Sequence, residues 1–532
     1  MKTIRNALTL TRLNLRLKRG YLFAWILPIL AIIAIFPYAY FEYYPTLADR
    51  QGVVQGLSGN IGTRAIYGLI DEPGTVGQMT TWKAAMWTGL LGAIMIALLM
   101  AALYRRPEHT GLAELTRSTG IRANTPWIAA TITGILASVT IGALSSLILI
   151  LLPLPREEIP IDGAVAFSIT LILMLVGSML AAQVALLLVN DGATLTRTVL
   201  LSVALSYVIR IVADTEDIAW LNWASPLGWR EIIGPFTEND FARAGILAAV
   251  CVVAAILIGL LESQRPFAQG FIPARDSSHR ARPIRGIIHL RWALNKGGIL
   301  AWMAIVGIST AFLMSLSGDI AELIGDEATT GQVFRDLLGG TDAYQAFIAY
   351  ICQMITIMIA AAGIGQITTY RAEEKARTVD VQRSTGVRRY APLAAASVIA
   401  LGTVIALVAV MHVGGALGLA SQEATLDDDY SALAWSSWTL LGAALLLTGI
   451  AVAIVGCVPR ATGWAWAPLA AAAVVTLMGE ILQLPDWVID LSPLSYALEP
   501  GSDQWWIPLL LGATGVVLVL VGLVGSSKRD IR

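Results

Sequence analysis

The side chains most able to do chemistry lie in two charged segments that repeat each other. The first segment, residues 105–122, follows Tyr104, and the second, residues 371–388, follows Tyr370. Acids and bases alternate at short spacing in both, which suits ion pairing with a protein surface better than catalysis. The candidate residues are Glu108, Glu114 and Arg117 in the first segment and Glu373, Glu374, Arg377, Asp380 and Arg383 in the second.

No machinery for catalysis or fuel use accompanies these charges. The chain contains no GxxxxGK[ST] loop that could cradle the phosphates of a nucleotide. Its three cysteines, Cys251, Cys352 and Cys457, lie within or at the edge of apolar runs, where neither disulfides nor metal spacing fits. We therefore expect no enzyme, no metal site and no cofactor on this chain. If ATP drives it, ATP and magnesium bind to a separate subunit.

Apolar runs must position the charged segments. Of the 532 residues, 56% are hydrophobic and 14% are charged, against about 25% charged in soluble chains. Mean hydropathy is +0.69, and runs of about 20 apolar residues recur along the chain, as in helices that span a bilayer. The sequence predicts an all-α integral membrane protein, and the net charge of -1 gives no sign of a nucleic-acid partner.

Twelve apolar runs are long enough to be spanning helices. They fall into two groups of six. The predicted spans are 21–40, 84–103, 127–152, 164–189, 195–213 and 244–261 in the first group, and 298–316, 347–369, 391–420, 432–456, 461–479 and 505–525 in the second.

Basic loops set the orientation, because Lys and Arg resist translocation. Residues 1–20 carry six basic residues and no acid, and 262–297 and 370–390 are similarly basic. Acids collect in loops on the other side, such as 427–429. We predict a multi-pass protein of the cell membrane with both termini cytoplasmic. Residues 1–19 are expected to form a separate amphipathic helix on the inner leaflet.

The chain contains an internal repeat. Tyr104-Arg105 recurs at Tyr370-Arg371, and RSTGIR (117–122) recurs as RSTGVR (383–388), both with the same displacement along the chain. Six spans per copy bring both copies in from the same side, so the repeat is parallel. The predicted domains are a first half at 1–261, a cytoplasmic linker at 262–283 and a second half at 284–532, each half comprising an interfacial helix and six spans.

Each charged segment lies between the second and third span of its half. We predict a short helix along the membrane plane that turns its charges to the cytosol and its apolar residues toward the bundle. The apolar residues are Leu112, Leu115 and Ile121 in the first segment and Val379, Val381 and Val387 in the second. The alternative is a solvated loop that only fixes topology.

Apolar segments before the last span of each half are the next candidates. Each contains the tripeptide Ser-Pro-Leu, at 225–227 and 492–494, and aromatic residues that suit the outer interface. They predict either a structural belt or an outer gate over a central pathway, with Pro226, Trp229, Pro493 and Tyr496 as gate residues.

The span interiors carry almost no carboxylates, which argues against ion coupling. They do offer apolar and aromatic surface that would suit a hydrophobic substrate. The candidate pathway residues are Met86, Trp87, Met354 and Met358, although ordinary packing is the simpler interpretation.

These features together resemble a known family. The order of elements is similar to that of the permease of the type V ABC exporter fold. That order is an interfacial basic helix, six spans with a charged segment after the second, and a re-entrant outer segment before the last. The chain resembles more specifically the actinobacterial permeases for tetronasin-type polyketide antibiotics and other drugs, in which two six-span halves are fused. The motifs that carry this resemblance are SPLGW (225–229), Pro235-Phe236 and the two RSTG motifs.

The resemblance implies an efflux permease for hydrophobic drugs, antibiotics or lipids. It would work with a separate ABC ATPase, in two copies, whose Q-loop groove receives segments 105–122 and 371–388 as coupling helices. Two alternatives stay open. One is a twelve-span secondary transporter of major-facilitator type, although no GxxxDRxGRR-like loop follows the second span. The other is a non-transporting membrane partner of an ATPase.

Overall fold

A computed structural model gives the fold of residues 2–58, 61–189, 195–267, 269–272, 283–315, 317, 343–421, 427–478 and 485–529. The chain divides into two compact units, Met1–Ser278 and His279–Arg532. Within the described residues every regular element is helical. The protein is therefore an all-α membrane protein, and the two units are treated one at a time below.

Eleven helices among the described residues are long and apolar enough to cross a membrane. Six lie in the first unit and five in the second. They are Arg5–Tyr43, Val76–His109, Thr125–Leu151, Ile161–Leu188, Leu195–Thr215 and Phe241–Gln264, then Ile287–Ser315, Gln345–Lys375, Ala391–Leu419, Asp428–Cys457 and Trp506–Lys528.

The eleventh predicted span, 461–479, has no counterpart among these eleven helices. This region begins as a 3-10 helix, Pro459–Trp466, and continues as the α-helix Ala467–Met478. Twelve α-helical residues extend only about 18 Å, less than the roughly 30 Å of a hydrocarbon core. Residues 479–484 lie outside the described part, so the count of twelve stays a prediction.

The N-terminal helix is longer than expected. A single helix runs from Lys2 to Tyr43, which corrects the expected separate interfacial helix at 1–19. Polar side chains hold its basic part against the first unit: Thr11 donates to the Ala129 carbonyl at 3.4 Å, and Tyr21 donates to the Met95 carbonyl at 2.7 Å. In the second unit, too, one helix covers both regions, Ile287–Ser315.

The first unit is built around the helix Ile161–Leu188, where one polar cluster joins neighbouring helices. The Gln183 amide donates to Thr131 at 2.9 Å and accepts a hydrogen bond from the Trp127 indole at 3.2 Å. All three groups are buried. In a bilayer such interhelical hydrogen bonds stabilise association because unpaired polar groups have no water partner.

In the second unit, glycines rather than polar side chains bring two spanning helices into contact. On the helix Asp427–Cys457, glycines recur every seven residues at 442, 449 and 456, and they face the helix Trp506–Lys528 at Pro508, Gly515 and Gly522. A Cβ on any of the three glycines would meet the backbone of the partner helix. Only glycine permits this approach, and such contacts between small residues drive helix association in membranes.

Of the predicted linker, residues 262–267 and 269–272 belong to the first unit. The Phe271 amide donates to the Leu187 carbonyl at 2.9 Å, and the Ile272 amide donates to the Leu188 carbonyl at 3.2 Å. The division between units falls after Ser278, inside the predicted linker 262–283.

Candidate functional site

The first charged segment continues directly from a spanning helix. The helix Val76–His109 ends in a π-helical stretch, Ala101–Arg105, and then in Arg106–His109. The short helix Leu112–Ser118 follows, preceded by Gly111 at φ +77° and followed by Gly120, also at φ +77°. Glycine adopts this left-handed conformation without a Cβ penalty, so the segment is bounded by two sharp turns.

The second charged segment has the same turns at the equivalent positions of the repeat. The helix Thr378–Arg383 lies between Arg377 at φ +61° and Gly386 at φ +81°. Arg377 corresponds to Gly111, so a residue with a Cβ holds a conformation that usually falls to glycine.

Glu108 is the centre of a buried ion-pair cluster in the first unit. It pairs with Arg105, three residues before it, and with Arg265, whose guanidinium lies 2.6 Å from its carboxylate. Arg265 also pairs with Glu262 at 2.8 Å. Although burial opposes its charge, hydrogen bonds to Glu262 and Glu108 raise the pKa of Arg265 above its ordinary value.

Glu374 has the equivalent role in the second unit. It pairs with Arg371 at 2.7 Å, with Arg383 at 2.9 Å and with Arg529. Only 7% of its side chain is exposed. In both units the charged segment is thus tied to an arginine that directly follows the last spanning helix, Arg265 after Gln264 and Arg529 after Lys528.

These contacts correct the expected direction of several charges. Glu108, Glu374 and Arg383 lie inside ion-pair clusters instead of facing outward. Glu373 is 2.6 Å from the buried Arg291, and the Arg117 guanidinium lies over the Phe267 ring at 4.0 Å. These carboxylates are buried because each segment follows directly from a spanning helix, and arginines at the ends of neighbouring helices pair with it. Of the predicted set, only Glu114, Arg377 and Asp380 keep exposed side chains.

The apolar residues of the segments also differ from expectation. Ala113 and its equivalent in the second segment, Val379, are the buried positions. Leu112, Leu115 and Val381 point outward, with exposures of 57%, 67% and 71%. A helix of six or seven residues has only two turns, so one side chain suffices to anchor it. Leu115 and Val381, which occupy equivalent positions, are exposed apolar groups among charges.

Arg265 and Arg529 were missed by sequence reasoning as partners of the segments. Each is the first basic residue after the last apolar run of its half, apart from Lys528 beside Arg529. That position would have identified them, but basic residues after a span are usually interpreted as topology signals alone.

The predicted outer gate residues of the first unit are packed inside the fold. Pro226 begins a 3-10 turn, Pro226–Gly228, and Trp229 begins the helix Trp229–Ile233. The Ser225 hydroxyl anchors this turn on the helix Leu195–Thr215, donating to the Ser206 carbonyl at 2.6 Å. A Cβ on Gly177 would lie 2.5 Å from the Trp229 ring and 3.0 Å from Pro226, so the turn fits closely against Ile161–Leu188.

The second unit repeats this anchor with a looser turn. The Ser492 hydroxyl is 3.3 Å from the Ala472 carbonyl, which accepts from it, and 2.7 Å from the Thr476 hydroxyl. Pro493 begins the 3-10 turn Pro493–Ser495, and the Tyr496 hydroxyl donates to the Asp490 carbonyl at 2.9 Å. Pro493 and Tyr496 are half-buried, unlike Pro226 and Trp229. Their role as a gate stays a prediction.

A buried charge cluster lies beside the outer segment of the first unit. Arg210 pairs with Asp214 at 2.7 Å, and Arg230 pairs with Glu231. Burial raises the pKa of the Glu231 carboxyl from 4.5 to about 7, although the neighbouring Arg230 opposes this rise.

The raised pKa of Glu231 predicts a pH-dependent stability. Between about pH 5 and about pH 7 the folded protein holds a proton on Glu231 that the unfolded chain has released, so stability falls as pH rises through this window. Over this pH window we expect the free energy of unfolding of wild type to fall by on the order of 2 kcal/mol, and we expect Glu231→Gln to abolish that fall. Thermal unfolding from pH 5 to pH 8 measures it. The exposed Glu238→Gln serves as the control, and identical profiles for wild type and Glu231→Gln would refute the prediction.

The predicted pathway residues differ in how far their side chains are buried. Met86 is buried, whereas Trp87 is half-buried and its ring centroid lies 6.4 Å from that of Tyr67. In the second unit Met354 and Met358, one helical turn apart, are both half-buried. The first pair lies in the first unit and the second pair in the second unit.

A known protein resembles the chain over nearly all of its length. Over 539 aligned residues it is 28% identical to the "Multidrug efflux system permease protein Rv1217c" of Mycobacterium tuberculosis, covering 99% of this chain and 95% of that protein. Residues 284–526 match the family described as "Multidrug efflux system permease Rv1217c, C-terminal domain". The protein is thus a multi-pass membrane protein similar from end to end to an efflux permease. The finer resemblance to type V and tetronasin exporters stays a prediction.

Proposed function

We propose that this chain is the permease subunit of an efflux system and that a separate ABC ATPase, in two copies, powers it. The observation that carries the proposal is the end-to-end similarity to a multidrug efflux permease, in a chain with eleven described helices long and apolar enough to cross a membrane. The chain has no phosphate-binding loop of its own, so ATP and magnesium belong to the partner.

The partner docks on the two charged segments. Leu115 and Val381 offer exposed apolar side chains at equivalent positions, and exposed acids and bases such as Glu114 and Arg377 surround them. An apolar centre with a charged rim is the usual anatomy of a protein interface. The buried clusters at Glu108 and Glu374 do not contact the partner directly.

Those clusters instead transmit movement within each unit. Since Glu108 joins Arg105 to Arg265, and Glu374 joins Arg371 to Arg529, displacement of a segment pulls on both the second and the last spanning helix of its unit. In the proposed mechanism, ATP closes the ATPase dimer and the segments move with it. The two bundles then alternate between inward and outward access, with the outer segments at Pro226 and Pro493 as gates.

The cargo is a hydrophobic drug, a polyketide antibiotic or a lipid, taken from the cytosol or the inner leaflet. The apolar and aromatic side chains of Trp87, Met354 and Met358 suit such a molecule. The protein lies in the cell membrane with both termini cytoplasmic, as the basic loops favour. Such a complex confers drug efflux, and this chain catalyses no bond chemistry.

A double variant of the docking surface tests the proposal. Leu115→Asp with Val381→Asp is expected to reduce ATP-dependent dye uptake into everted vesicles by about tenfold or more, because burying two unpaired carboxylates in an interface costs several kcal/mol. Leu47→Asp, an exposed leucine of the helix Leu47–Ser58, is the matched control and should leave uptake unchanged. Uptake that withstands vanadate but collapses with a protonophore would favour a secondary transporter and contradict the proposal.

A further inference from the structure

One lysine lies within a spanning helix at the centre of an aromatic cluster. Lys83 belongs to the helix Val76–His109, and its ammonium lies 5.4 Å from the ring centroids of both Tyr67 and Trp82. The two rings are themselves 5.2 Å apart. A cation this close to aromatic faces is attracted by their electron density, so the rings hold the ammonium in place.

Lys83 has no acidic partner among the described residues: no ion pair or side-chain hydrogen bond joins it to a carboxylate. Every other basic residue of the buried outer cluster, such as Arg210 and Arg230, has one. Lys83 lies immediately before the predicted span 84–103, and charges withdrawn from water are ordinarily paired with an opposite charge. Among the described residues, the charge of Lys83 is thus contacted by aromatic rings and not neutralised by a carboxylate.

The local backbone aims this side chain. Thr81–Ala85 is π-helical and lies between the α-helical stretches Val76–Thr80 and Met86–Met100. Such bulges change the face on which following side chains emerge and are frequent at functional sites. The bulge leaves Trp82 buried, with its indole donating to the Gly68 carbonyl at 3.1 Å. Lys83 and Trp87, one turn apart, remain half-buried beside the half-buried Tyr67.

We propose that Lys83 binds the anionic group of a hydrophobic ligand whose apolar body lies against Tyr67 and Trp87. The ligand is a carboxylate, sulfonate or phosphate carried on an apolar or aromatic framework, supplied either by the transported compound or by an anionic lipid. The inference rests on the proposed efflux function for its physiological meaning, but the binding itself requires no partner subunit.

Only one half of the chain carries this cation. In the second copy of the repeat, the position equivalent to Lys83 is Ala349, and the position equivalent to Trp87 is Gln353. A second equivalent anion site is therefore not expected, and the stoichiometry of binding is one per chain.

Fluorescent ligands that differ only in charge test the proposal. The purified chain in phosphatidylcholine nanodiscs is titrated with pyrenebutyrate and with pyrenebutanol, and energy transfer from tryptophan reports binding. We expect wild type to bind the anion about tenfold more tightly than the alcohol, the ratio that one desolvated charge contact produces. Lys83→Gln should bring that ratio to about one, and Lys83→Arg should preserve it.

Controls separate this inference from folding and from the efflux proposal. Arg156→Gln, which removes an exposed cation elsewhere in the unit, should keep the wild-type ratio. A Lys83→Gln ratio equal to wild type, or no anion preference in wild type, would overturn the inference, and neither result bears on ATPase docking. If adding phosphatidylglycerol abolishes the Lys83-dependent preference, the anion is a lipid headgroup, and if the preference persists, it is the soluble compound.

Discussion

Glu374→Gln is expected to destabilise the protein by about 3 kcal/mol, because it removes the carboxylate that three arginines share. Arg371 and Arg529 would lose their carboxylate partner, and Arg383 would keep only the exposed Asp380; each arginine side chain is at least three-quarters buried. The second charged segment should then detach from the end of the helix Trp506–Lys528. Thermal unfolding measures the loss of stability, and trypsin cleavage after Arg377 measures the detachment.

Two further substitutions provide a graded comparison. Glu108→Gln should destabilise less than Glu374→Gln, since Glu262 still pairs with Arg265. Asp380→Asn removes an exposed contact 3.5 Å from Arg383 and should change stability by less than about 0.5 kcal/mol. If Asp380→Asn matched Glu374→Gln, the buried cluster would not be what anchors the segment.

Gly449→Leu is expected to separate the two helices of the second unit that pack most closely. A Cβ at this position would meet the backbone of Gly515, which cannot move as a side chain can. Overpacking of this kind costs about 3 kcal/mol, and here it also breaks contacts along the whole pair. A large fall in the thermal midpoint and earlier aggregation in detergent are the expected results.

Gly402→Leu is the matched control for this prediction. Gly402 lies in the helix Ala391–Leu419 of the same unit, and a Cβ there would meet nothing within 4 Å. Equal destabilisation by both substitutions would show that helix approach at Gly449 is not the cause.

Much of the fold follows from composition and periodicity. Long apolar runs indicate spanning helices because a bilayer leaves the backbone no other partners, and eleven of the twelve predicted runs appear as such helices. The pairing of Arg210 with Asp214 was also predictable, since residues four apart share a helix face. The locations of the charged segments were also predictable, because each segment lies between two long apolar runs.

Side-chain direction within the segments was not predictable. Charges were expected to face water, yet Glu108 and Glu374 are buried by arginines from 155 or more residues away. Nothing local in the sequence encodes that contact. Helix packing was not predictable from the repeat either. Gln183 and Gly449 occupy equivalent positions, yet Gln183 forms interhelical hydrogen bonds and Gly449 permits backbone contact. Similar halves therefore pack their helices by different contacts.

The most direct test of the central claim is transport by the purified chain in proteoliposomes, alone and with its ATPase partner. We expect no uptake of a hydrophobic dye above the empty-liposome background with the chain alone, whether or not ATP is present. Addition of the partner and ATP should produce vanadate-sensitive transport at least about tenfold above that background. Transport at full rate by the chain alone, without nucleotide, would contradict the account.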